Sequence, residues 1–63
     1  MEKDEFLSAN REYIESLTYG AKKMTPDEMA SWIREEQDKL MKQDERVVPF
    51  TDEEIEWIID ELY

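Results

Sequence analysis

The chain has 63 residues, with eighteen Asp and Glu against eight Lys and Arg, no His, no Cys and a formal net charge of −10. Such a length supports one domain that buries only about 60% of the surface of its unfolded chain, and neither disulfides nor a His/Cys zinc site is available to reinforce it. The charge excludes direct binding to nucleic acid and to anionic membranes, which carry the same sign.

The opening residues MEKDEFLSAN hold no apolar core of a secretory leader, and nowhere do about eighteen apolar residues run together, so no membrane association and a cytoplasmic location are expected. With one Gly, two Pro and no β-type alternation, the sequence reads as all-α. The expected architecture is a small three-helix domain spanning 1–63, a helical hairpin followed by a C-terminal helix. The first helix should run from about 3 to 19. Phe6, Leu7, Tyr13, Ile14 and Leu17 recur there at helical spacing, and Gly20 suits the left-handed residue that ends a helix. Asn10 interrupts this apolar stripe, and Glu36 interrupts the next one. Each is expected at its stripe's edge, reaching water; the alternative is burial with a hydrogen bond to the other or to backbone, or a role in fixing the register of a dimer.

The second helix should span 26 to 44, and its start is spelled out in MTPDEM. Thr25 is a cap, Pro26 fits the first helical position, Glu28 closes a capping box, and Met24 can staple onto Met29. Met29, Trp32 and Ile33 then form its apolar stripe. Its second half, EQDKLMKQDE, is thinly apolar, with Leu40 and Met41 as core candidates. RVVPF reads as an extended connector, because Pro49 pushes Val48 out of helical geometry. The same start grammar returns in FTDEEI, where Thr51 caps, Glu54 closes the box and Phe50 staples onto Ile55. The third helix should run from 52 to 63.

Chemistry-bearing patterns are sparse. Without His, Cys or a glycine-rich phosphate loop, most nucleophilic, metal-hydrolytic and nucleotide-dependent mechanisms lack their residues. Paired carboxylates need a cleft that excludes water and gives each a different environment, which three short helices do not readily enclose. The acidic C-terminal run lacks the central glycine of a calcium loop. No enzyme, metal site or cofactor is therefore expected.

The informative segment is FTDEEIEWIIDELY. At about 100° per residue, Ile55, Ile58, Ile59 and Leu62 share one arc, and Trp57 stands about 160° from its centre. Glu53, Asp60 and Glu61 lie one turn from that indole. An aromatic anchor in a charged surround suits a binding hot spot, with the charges steering a cationic partner. The expected contact set is Trp57, Glu53, Glu56, Asp60 and Glu61, extended by Asp52 and Tyr63, and Tyr19 is a further candidate. A rival expectation is architectural: a helix lying between two others, or in a homodimer seam, needs apolar residues on both sides. The expected function is inhibition or modulation of a larger basic, nucleic-acid-handling protein. In its sharpest form this is DNA mimicry of the kind used by phage and mobile-element inhibitors, with Asp52, Glu56 and Asp60 spaced at about 6 Å along one row. The alternative is a self-associating helical subunit whose acidity serves solubility.

Overall fold

A computed structural model describes residues 2–63. Among these residues there are helices and connections only: α1 Lys3–Ala9, α2 Arg11–Ala21, α3 Pro26–Gln43 and α4 Asp52–Leu62. The all-α class agrees with the sequence, but there are four helices where three were expected, because the first is divided at Asn10. The cause lies in that residue. Asn10 departs from helical geometry at φ −109° and ψ 17°. Its backbone N–H and its side-chain amide both donate to the Phe6 carbonyl, at 3.1 and 2.9 Å. A short amide side chain competes in this way with the regular helical bonds, which is why asparagine favours breaks and caps. Expected to face water, Asn10 is instead half-buried and bonded to backbone.

Gly20 also departs from expectation. No described residue has a positive φ, and α2 continues through Gly20 to Ala21. What the glycine supplies is space, since a Cβ there would stand 3.4 Å from Met29 Cε. That is an ordinary van der Waals separation, so an alanine would fit there, whereas a longer side chain would have to displace Met29 or fill the space beside it.

Both expected capping boxes are present. Glu28 N–H donates to Thr25 Oγ1 at 3.2 Å and Thr25 N–H to Glu28 Oε1 at 3.1 Å. The equivalent bonds at Thr51 and Glu54 are 3.1 and 2.9 Å. Accepting the Thr25 backbone N–H, and secondarily its side-chain bond, holds the Glu28 carboxyl below its usual range. At the other end of α3, a forked pair of bonds from Arg46 to Asp44, at 3.1 and 3.2 Å, organises the start of the connector. These side-chain bonds, followed by the Arg46 backbone N–H, lower the Asp44 pKa.

The core is Phe6, Ile14, Leu17, Ala21, Met29, Ile33, Ile55 and Ile58, with Ile33 and Ile58 fully buried. Helices α2 and α4 pack on each other, and α1 and α3 each pack on both without meeting one another. Gln37 is the buried polar residue that the apolar pattern did not single out. Its Oε1 accepts the Phe50 backbone N–H at 3.2 Å, tying the connector to α3 and satisfying both groups. Leu40 and Met41 keep 43% and 39% of their surface exposed and lie outside the core.

Four aromatic rings form a continuous row. Tyr13 lies 5.9 Å from Phe50, Phe50 lies 5.4 Å from Phe6, and Phe6 lies 5.6 Å from Trp57, all in edge-on or tilted geometries. Such pairs contribute about 0.5–1.5 kcal/mol each beyond area burial. The row has one flaw: the Tyr13 hydroxyl is shielded from water and has no hydrogen-bond partner.

Burial, reinforced by the Glu36 carboxylate, raises the Tyr13 pKa. The folded chain thus holds this proton more tightly than the unfolded one. The linked stability is complete below about pH 10 and is lost as the pH rises through the folded value. Tyr13→Phe is expected to raise stability by about 1 kcal/mol in urea titration and to weaken the alkaline loss of stability. An equal or lower stability for the variant would contradict the unpaired hydroxyl.

Candidate partner-binding surface

All the α4 candidates take their positions from two local causes. The Thr51–Glu54 box fixes where the helix begins, and the apolar stripe fixes its rotation. Ile55 and Ile58 are buried and Ile59 and Leu62 half-buried, which leaves Asp52, Glu53, Glu56, Asp60 and Glu61 exposed.

Trp57 requires a correction. Its ring does not stand apart from the core but is half-buried and tilted by 57° against Phe6. The apolar stripe of α4 was read as its whole packing surface, whereas α1 also packs on this helix and covers part of the indole. The architectural alternative therefore accounts for Trp57 within the monomer. One part of the ring remains accessible, next to the acidic face.

The carboxylates differ in their surroundings. Asp52 Oδ1 is 3.1 Å from Arg34 Nη2, and Asp60 Oδ2 is 3.9 Å from Lys3 Nζ, so α4 is bridged to α3 and to α1. Both pairs are well exposed, where such bridges contribute less than about 1 kcal/mol. Glu53 and Glu56 have no cation partner among the described residues. Of the row Asp52, Glu56 and Asp60, the two ends are already occupied by cations of the same chain. Glu61 borders a groove of about 440 Å³ together with Asp4, Glu15 and Arg11, three carboxylates facing one guanidinium. Tyr63 is exposed, and its hydroxyl donates to the Met24 carbonyl at 2.7 Å, fastening the end of α4 to the turn before α3.

Charge compensation within the chain is limited. Ion pairs engage Lys3, Arg34, Lys39, Lys42 and Arg46, leaving Arg11, Lys22 and Lys23 to face the remaining acidic surface. Lys23 lies over the Tyr19 ring at 4.8 Å.

A second surface escaped sequence reasoning. Leu17, Tyr19, Gly20, Met24, Met29 and Trp32 line a mainly apolar groove of about 210 Å³ between α2 and α3. A hollow of about 420 Å³ that shares Met24 and Trp32 with this groove is bordered by Asp27, Glu28 and Glu35. The spacing of Trp32 from Met29 and Ile33 predicts a core position, yet the ring is only half-buried. The available signal was Tyr19, off the α2 stripe and 70% exposed, directly before a glycine.

Compared with protein-family models, curated proteins and solved structures, the chain matches none.

The Phe6 contact makes Trp57 a stabilising residue. Trp57→Ala is expected to cost about 2 kcal/mol, below the roughly 3–5 kcal/mol of a fully buried Trp, whereas Trp57→Phe should retain most of the stability. Thermal melts followed by circular dichroism distinguish this from a freely exposed ring, for which neither substitution would shift the midpoint.

Proposed function

We propose that the protein is an acidic binding module that docks on a larger basic protein, of the kind whose surface otherwise grips nucleic acid, and inhibits or modulates it. The observation that carries this is uncompensated charge at defined positions. Even with five ion pairs formed, Glu53 and Glu56 face outward from α4 without a cation partner among the described residues, beside Trp57. A partner's Lys and Arg would meet no competing cation from the described residues there. The field of the whole chain would accelerate their approach, and the indole edge would add apolar contact. Cation recognition is better supported than imitation of phosphate spacing, because Asp52 and Asp60 already hold Arg34 and Lys3.

Affinity capture from the native host tests this directly. The recovered partner is expected to bind nucleic acid, to release it when the acidic protein is added, and to lose affinity steeply with rising salt. Glu53→Lys combined with Glu56→Lys should weaken capture by about tenfold. Partners that are neutral or acidic, or retention insensitive to salt, would refute the function.

One observation favours a second reading, self-association. Leu40, Met41 and Val48 are exposed around the end of α3, Val48 by 81%, and Lys39, Lys42 and Arg46 moderate the acidity of this region. Sedimentation would then show a dimer that Leu40→Glu with Val48→Glu converts to monomer. A wild-type monomer at all concentrations excludes this reading.

A further inference from the structure

We propose that the groove between α2 and α3 receives a large apolar side chain from a cationic segment of the partner, whose Lys or Arg residues pair with Asp27, Glu28 and Glu35 beside it. This assignment rests on the binding function above and gives it a second, more specific point of contact.

The groove has the properties such an anchor needs. Its volume of about 210 Å³ lies under the roughly 300–1,000 Å³ typical of small-molecule sites, and so suits one side chain better than a whole ligand. Met24, half-buried at the rim, contributes a thioether that adapts to differently shaped guests, and the buried Met29 forms part of the floor. Trp32 and Tyr19 offer aromatic faces, with Tyr19 left 70% exposed in the isolated chain. Gly20 helps keep the space open, since any larger residue there would project a Cβ toward Met29.

Charge complementarity identifies the occupant. Asp27, Glu28 and Glu35 border the hollow that shares Met24 and Trp32 with the groove, and none of them has a cation partner among the described residues. The opposite side is already cationic, with Lys23 over the Tyr19 ring. A guest is therefore oriented: its apolar residue enters between Tyr19 and Trp32, and its cations lie toward α3. This combines methionine-lined apolar contact with acidic borders, the physical requirements for recognising a basic amphipathic segment.

The test uses the full chain carrying Trp57→Phe, so that Trp32 is the only tryptophan. The probe is a synthetic amphipathic helix of leucine and lysine, compared with polylysine and with a leucine–glutamate helix. The leucine–lysine peptide is expected to shift Trp32 emission to the blue and to bind at least about tenfold more tightly than polylysine. The leucine–glutamate helix should not bind. Gly20→Leu, which fills the groove, and Asp27→Lys with Glu35→Lys should each weaken binding by about tenfold. Gly20→Ala provides a milder filling that helix propensity favours, and it should cost about fourfold in affinity, the value of one displaced methylene, without lowering the melting temperature.

Equal binding of polylysine, unchanged Trp32 emission, or indifference to both Gly20 variants would overturn the groove as the site. If Glu53→Lys with Glu56→Lys then abolished binding, recognition of a cationic partner would survive on α4 alone. Failure of both leucine–lysine peptide and polylysine to bind at low salt would remove the function and the groove together.

Discussion

An isolated helix of eleven residues is marginal in water, because nucleation is costly and few hydrogen bonds follow it. Helix α4 has that length and is held by packing on α1, α2 and α3. The rest of the molecule is arranged around this requirement. Helix α1 and helix α3 each pack on both α2 and α4, so the last helix has apolar contacts beyond its main stripe. Ile55 and Ile58 supply its buried stripe, and Trp57 meets Phe6 on α1. At Asn10 the helix is interrupted for a single residue, and the backbone bonds Asn10 N–H to Phe6 and Ile14 N–H to Asn10 carry the chain from α1 into α2. In a domain with so little interior, the aromatic row from Tyr13 to Trp57 links α2, the connector, α1 and α4.

The same compactness drives charge to the outside. A core this small has no room for ionised carboxylates, whose burial would cost several kcal/mol each without strong partners. Acidic residues consequently occupy nearly every outward position of α4. The ion pairs formed by Asp52 and Asp60 join neighbouring helices, but on an exposed surface they do little more than offset local repulsion. The functional possibilities follow from this division. An external cationic surface can lower the free energy of the acidic face, while the apolar groove at Trp32 offers contact that does not depend on charge.

Trp57 and Trp32 illustrate how far helical periodicity carries. Periodicity assigned Trp57 to the solvent side and Trp32 to the core, and the structure makes both half-buried. For Trp57 the difference came from a neighbouring helix that no local pattern announces. For Trp32 the ring packs against the core on one side and lines the groove between α2 and α3 on the other. A stripe specifies which side of one helix is apolar; it does not specify how many partners that helix will have.

Local chemistry determined a good deal by itself. Both capping boxes, the starts of α3 and α4, the extended connector before Pro49 and the all-α class follow from interactions within a few residues, and these survive in any fold that contains those helices. Tertiary structure alone decided the rest: whether Asn10 is half-buried or faces water, whether Gly20 ends a helix or lies within one against Met29, and which carboxylates of α4 find a cation. The physical reason is range. Caps and turn residues act over three or four positions of one chain segment, whereas Asp60 meeting Lys3, or Tyr63 reaching Met24, depends on how distant helices are brought together by burial of Ile33 and Ile58.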